Sequence, residues 1–382
     1  MRVLVLGGDG YLGWPTAMYF AANGHEVTVV DNYLRRNLSR ETCSEALMPT
    51  LNLHDRANLF HAVTNKIVDV RIGDCSDYRV LSSIVEAVQP EAIIHYAEQP
   101  SAPYSMMGFD EAERTFKNNL CVTFNVIWSV LKTVPDCHII KLGTMGEYGT
   151  PNIDIEEGWI EINHKGRHDT FLYPRQAGSL YHTTKILDTD LLWFYVRSYG
   201  LRVSDLMQGP VYGLSTQETD MSIQLNTYFN YDDIFGTVVN RFLAQAVAGI
   251  PLTVYGKGGQ TRGYLNIKDT IQCVELAMSN PVKKGELRIL NQFTEQFTVN
   301  EIAEKVMNVG NAMGLKVKVQ SISNPRNEKE NHYYNAKHRG LLDMGLDPHY
   351  MTEEVVADML ERVLEYKSAI DNKKIMPRVK WS

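Results

Sequence analysis

Two side chains in the segment Tyr181-His182-Thr183-Thr184-Lys185 have the types and the spacing for proton chemistry. Four residues apart on a helix, Tyr181 and Lys185 share one face, separated by a rise of about 6 Å. There an ammonium stabilises a phenolate, pulling the tyrosine down from a free pKa of about 10. Such a base removes a hydroxyl proton while hydride leaves the same carbon for a nicotinamide. The spacing alone is common by chance, so its weight comes from what precedes it in the chain.

What precedes it begins almost at once. The run Arg2–Leu6 leads into Gly7-Gly8-Asp9-Gly10-Tyr11-Leu12-Gly13. Glycines at 7, 10 and 13 allow a tight turn and close backbone approach, so a pyrophosphate can rest on the N-terminus of the following helix. Asp9 and Tyr11 share that turn. Asp31 and Asn32 close the second apolar run, where a carboxylate accepts the ribose hydroxyls of NAD and repels a 2′-phosphate. Arg35 and Arg36 are near enough to reach the pyrophosphate. Asp74 and Cys75, after the third run, fall at the adenine end.

Thr144 ends a fifth run and continues Met145-Gly146-Glu147. Ligands of doubly wound sheets bind at the carboxyl ends of strands, which presents the threonine hydroxyl to a substrate oxygen beside Tyr181. Glu147 and His182 are the nearest further groups able to move protons. One helical step turns His182 about 100° from Tyr181.

Six short runs, 2–6, 26–30, 67–72, 92–96, 138–142 and 201–206, read as strands. Amphipathic segments around 12–23, 78–88, 118–131 and 179–199 read as helices between them. The alternation predicts an α/β fold, a doubly wound parallel (Rossmann) sheet over residues 1–207. Beyond Gln208 it breaks down into a smaller, partly interwoven α/β substrate domain over 208–382, with the segment about 237–270 returning to the first. Apolar residues on the helices, Phe124, Val126, Trp128, Leu187, Leu191, Trp193 and Phe194, exceed what one core face needs.

The 382 residues are 44% hydrophobic and 22% charged, with a net charge of −7. That balance offers no general nucleic-acid surface. No apolar run is long enough for a membrane helix, and no signal peptide precedes Arg2. The five cysteines lack C-x-x-C spacing, which predicts neither disulfides nor a metal site, and a reducing cytoplasmic compartment.

The order of glycine-rich turn, acidic residue, threonine and Y-x-x-x-K resembles the extended short-chain dehydrogenase/reductase superfamily, in its nucleotide-sugar-modifying branch. The likeness runs from end to end. Longer runs are more specific: SAPYSM at 101–106, KLGTMGEYGTPNIDIEEG at 141–158, TVYGKGGQTRGY at 253–264, NQFTEQF at 291–297 and HYYNAK at 332–337. They are similar to the members that form a sulfosugar from UDP-glucose and sulfite, formally grouped with hydrolases of carbon–sulfur bonds.

The resemblance implies tightly held NAD, with Val211 among its contacts. It implies substrate contacts from Gln99, Thr144, Gln208, Tyr255, Gln260, Arg262 and Arg326, the arginines holding the diphosphate. It implies C4 oxidation with Tyr181 as base, loss of water across C5 and C6, sulfite addition at C6 and C4 reduction. It also implies a homodimer paired through the helices around 118–131 and 179–199. Related 4,6-dehydratases carry an Asp-Glu pair after the threonine; Met145-Gly146 stands there in this chain. A plain 4-epimerase needs only Thr144, Tyr181 and Lys185. One departure is Pro100, where the family pattern has arginine.

Overall fold

The computed structural model describes residues 1–326 and 333–380. The chain begins with β1 (Arg2–Leu6), α1 (Gly13–Ala22), β2 (Glu26–Asp31), α2 (Leu34–Glu41), α3 (Leu53–Thr64) and β3 (Val68–Ile72). It continues through α4 (Tyr78–Val88), β4 (Ala92–His95), the short α5 (Ala102–Ser105), α6 (Phe109–Thr133) and β5 (His138–Thr144). A hairpin of β6 (Trp159–His164) and β7 (Arg167–Leu172) then precedes α7 (Leu180–Tyr199), β8 (Arg202–Gln208) and β9 (Val211–Tyr212). The hairpin turns on Lys165 and Gly166, both at positive φ, the two-residue geometry that matches strand twist.

The remainder comprises α8 (Val238–Ala248), β10 (Leu252–Tyr255), β11 (Thr261–Asn266), α9 (Ile267–Ser279), β12 (Glu286–Gln292) and β13 (Glu295–Thr298). Last come α10 (Val299–Ala312), β14 (Val319–Ile322), α11 (Gly340–Asp343) and α12 (Glu353–Glu365).

Seven parallel strands form the main sheet in the order β12-β8-β5-β4-β1-β2-β3. Period-two alternation splits its side chains between two cores. Val3 and Val5 of β1 join Trp14, Met18 and Cys273 on one face. Leu4 and Leu6 join Val122, Val126 and Val196 on the other. A third core, built from Phe242, Val254, Ile302, Val306 and Leu360, holds the second half together.

Six strands lie within about two residues of their predicted places. The seventh, β12, falls outside the predicted set, and it pairs with β8 over its whole length. Helix α9 and strand β12 pack on the main sheet, while α8 packs into the third core. Helix α6 starts at Phe109, well before the predicted Asn118. Among the described residues, no helix is long and apolar enough to cross a membrane.

Candidate active site

The carboxyl ends of the parallel strands open into a cavity of about 810 Å³ that residues of the second half also line. Its floor is the glycine turn. Gly7 sits at φ +86° against the backbone of Tyr96 and Ala97, and a Cβ on Gly13 would collide with the Gly7 carbonyl. Only glycine permits that fold of the chain.

Asp31 lines the cavity at the end of β2. Its carboxylate accepts from the backbone N–H of Asp9 (2.9 Å) and of Tyr33 (2.6 Å). Burial first, then the nearby Asp9 carboxylate, raise its pKa to about 6. Arg35 stacks on Phe235 at 3.7 Å and bonds Asn230 at 2.9 Å. Its Nη1 is buried without a partner on the cavity wall. Asn32, Asp74, Cys75, Tyr11 and Val211 also line the space. A glycine cradle, a ribose-facing carboxylate and an orphaned guanidinium nitrogen fit a dinucleotide.

Asp9 departs from expectation. It is buried against Arg36, with bonds of 2.6 and 2.7 Å, and against Arg56 at 2.5 Å. Arg56 is fully enclosed, and a buried guanidinium needs a counter-ion. Asp9 therefore braces the turn from behind, and Arg36 is occupied with it.

Helix α7 opens on Ser179, whose hydroxyl accepts from the His182 N–H at 3.2 Å. That cap sets Tyr181 and His182 on the cavity wall in the first turn. The Tyr181 N–H donates to the Ser105 hydroxyl at 3.1 Å, tying α7 to α5. Lys185 lies one turn on and just behind, its nitrogen 6.0 Å from the centre of the Tyr181 ring. Tyrosine and lysine share a face as predicted. The lysine nevertheless donates to the Leu142 carbonyl at 2.6 Å and pairs with Glu98 at 2.7 Å. Burial first, then Glu98, lift the Tyr181 pKa well above its ordinary value.

Thr144 faces the same space, its hydroxyl accepting from Gly146 N–H at 3.1 Å. His182 reaches further round than one helical step suggests. Its ring lies over the bare Cα of Gly146, where a Cβ would strike Nε2 and Cδ2. Nδ1 is 3.0 Å from the Ser179 hydroxyl. Burial, then Arg262 and Arg326, lower its pKa to about 3, so the imidazole is neutral.

Glu147 is not in the cavity. Its side chain is fully buried behind β5, 3.5 Å from Lys141 and 3.6 Å from Arg175, and accepts from Thr189 at 3.2 Å. Lys141 also reaches Asp205 at 3.3 Å and the Lys185 carbonyl at 3.3 Å, which pins α7 to the sheet.

At the far end Arg262, Arg326 and Gln208 line the cavity, and Gln208 bonds Gln292 at 3.1 Å. Gln99 lines it too, but its amide is spent on Thr115 (2.8 Å) and on both backbone groups of Ser101. It holds the loop through Pro100. Tyr255 and Gln260 lie outside the lining. The Tyr255 ring is covered by Arg241 at 4.0 Å, and Gln260 folds back on the Tyr255 carbonyl at 3.4 Å.

Several lining residues carried no sequence signal. Glu98 is a lone carboxylate in a loop. Tyr228, Asn230, Thr237 and Asn240 come from a stretch so rich in Asn, Asp and Tyr that it reads as exposed loop, yet most of it is buried.

Comparison with known proteins gives the family and the fold. The model of the NAD dependent epimerase/dehydratase family matches residues 3–291. The chloroplastic UDP-sulfoquinovose synthase of Spinacia oleracea is 47% identical over 380 residues, spanning all of this chain and 79% of that protein. The UDP-sulfoquinovose synthase of Sulfolobus acidocaldarius is 45% identical over 384 residues, spanning all of this chain and 98% of that one. In fold, UDP-glucose 4-epimerase of Thermotoga maritima, solved with UDP-glucose, superposes with a TM-score of 0.71 at 20% identity, covering 96% of this chain and 99% of its own. The UDP-glucose 4-epimerase of Thermus thermophilus, solved with NAD, gives 0.67 at 22%, covering 97% and 100%.

Proposed function

The chain belongs to the NAD-dependent epimerase/dehydratase family and, within it, to the UDP-sulfoquinovose synthases; from that premise we infer how its own residues divide the reaction. The reaction is the conversion of UDP-glucose and sulfite to UDP-6-sulfo-6-deoxyglucose and water. NAD is the cofactor, and when bound it accepts the C4 hydride and later returns it.

The glycine turn, Asp31 and Arg35 hold the dinucleotide, with Asp74 and Cys75 at its adenine end. Arg262 and Arg326 hold the diphosphate of the sugar nucleotide. Thr144 bonds the C4 oxygen, and Tyr181 as phenolate takes its proton. The C4 ketone acidifies the C5 proton. His182, neutral and facing the bare Gly146, takes that proton and passes it to the departing C6 hydroxyl, ending neutral again. Diphosphate beside Arg262 and Arg326 offsets their charge, which raises the proton affinity of the imidazole as the substrate seats. Sulfite adds at C6 of the enone as bisulfite gives up its proton to His182, which delivers it to C5 and restores the C4 ketone, and Tyr181 returns its own proton as C4 is reduced.

The observation that carries this division is the imidazole standing where a side chain at 146 would be, with Glu147 withdrawn into the interior. Met145 and Gly146 present no carboxylate to the cavity beside Thr144, and Glu147 reaches the Thr144 N–H at 3.3 Å from the buried side, away from an anionic nucleophile. Mass spectrometry of products from UDP-glucose with and without sulfite tests the reading. A sulfonated sugar nucleotide formed only with sulfite supports it; a 4-epimer or a released 4-keto sugar as sole product overturns it.

A further inference from the structure

Glu98 stands just past the end of β4 with its side chain 2% exposed. One carboxylate oxygen is 2.7 Å from the Lys185 ammonium and the other 3.4 Å from His95 Nε2. Neither oxygen completes a well-directed hydrogen bond, although the residue lines the cavity. His95 is itself fully buried, which lowers its pKa to about 4 and leaves it neutral. Lys185 is thus the cation that Glu98 meets most closely. Burial pushes the Glu98 pKa up, but the Lys185 ammonium, with Lys141 further off, outweighs it and keeps the carboxyl ionised.

We propose that Glu98 is a positioning residue: its carboxylate holds the Lys185 ammonium, offsets its pull on Tyr181, and so sets the pH at which the tyrosine takes the C4 proton. The proposal rests on Tyr181 being the C4 base. The two opposite charges stand 2.7 Å apart, with the ammonium 6.0 Å from the ring centre, so each offsets the other's field at the tyrosine in an interior that screens poorly. Tyr181 is faced by Lys185, Asp188 and His182 from its own helix, by Glu98 after β4, by Lys141 of β5, and by Glu147. Of these, Glu98 opposes ionisation of the tyrosine most strongly after burial itself. A tyrosine–lysine pair alone would ionise at lower pH.

Pre-steady-state reduction of the bound cofactor, followed by NADH absorbance with UDP-glucose alone across pH, tests this on the holoenzyme. Glu98→Gln should move the acidic limb of the profile down by about one unit or more, because a charge that disfavours the phenolate is gone. A merely structural role would lower the rate at every pH and leave the limb in place. A limb that is fixed, or moves up, overturns the proposal.

Should Glu98→Gln not fold, the double variant Glu98→Gln/Lys185→Gln removes both charges together. Its limb should lie within about half a unit of wild type if the two cancel at Tyr181. A rise of more than about one unit means that Lys185 acted alone, and overturns the proposal. Tyr181→Phe separates the two ideas. If it still reduces the cofactor, the assignment of Tyr181 fails; if it is inactive while the limb ignores Glu98, only the role of Glu98 fails.

Discussion

The imidazole of His182 occupies the volume that any side chain at Gly146 would need. The glycine is required by the ring packed against it, since its own φ is not in the left-handed region. Adding one methyl group displaces the ring or the turn, a cost of about 1–3 kcal/mol for overpacking. Gly146→Ala should therefore keep C4 oxidation, seen as NADH absorbance, and lose product formation. His182→Ala should do the same more severely, on the order of 10²-fold or more, as expected for loss of a general acid–base group. Normal sulfonation by His182→Ala would falsify the elimination step assigned to it.

Tyr181→Phe should bind UDP-glucose nearly normally and fail to reduce the cofactor, because only the proton acceptor is removed. Lys185→Ala should impair the same step. Product loss together with undiminished NADH formation in Tyr181→Phe would contradict the assignment.

Glu147→Gln is expected to act on stability. The substitution takes one of two carboxylate partners from each of Lys141 and Arg175, which keep Asp205 and Asp190, so it costs about 1–3 kcal/mol. Thermal unfolding should fall by a few degrees, while the folded protein still shows the NADH transient. A variant with wild-type melting and a stalled keto sugar would return Glu147 to the chemistry.

Denatured protein should release NAD(H) in near-stoichiometric amount, because a cofactor regenerated at every turnover need not leave. Affinity for added NAD should also depend on Asp31. Its pKa is raised to about 6, by burial and then by Asp9. Below that pH a proton must leave before the ribose hydroxyls can bond an ionised carboxylate. Affinity should then weaken about tenfold per unit below pH 6 and flatten above it. Isothermal titration across pH checks the slope, which Asp31→Asn should abolish.

Homodimerisation is expected through α6 and α7, which leave Phe124, Leu187 and Phe194 exposed. Val126 is in the core and Trp193 packs on Trp159 of the hairpin, so neither contributes to that face. Light scattering at micromolar concentration should give twice the chain mass, and Phe194→Glu should give a monomer. A wild-type monomer would remove the interface.

What was legible in the sequence was local. The glycine turn, Asp31, Thr144 and the pair Tyr181–Lys185 are positions that strand ends and one helical turn place without help from elsewhere. Side-chain direction was not legible where a distant partner decides it. Asp9 turns toward Arg56, Glu147 toward Lys141 and Gln99 toward Thr115, each for a buried group that spacing cannot announce. The first turns of α6 carry Asp110 and Glu111, a fitting helix start, but their exposed faces lack the apolar period that reveals a helix.

Strand β12 carries a consequence for how the protein is made. It covers β8 along seven paired positions, while α9 packs over β5 and α1. A nascent chain that has left the ribosome only as far as Gln208 has the glycine turn, the tyrosine and the lysine, yet exposes β8 as a bare edge. Its cofactor half can close only after the nucleotide-sugar half has begun to emerge. The two halves are therefore interdependent in synthesis, and a gene cut after residue 207 should yield an aggregating fragment in place of a small dinucleotide-binding protein.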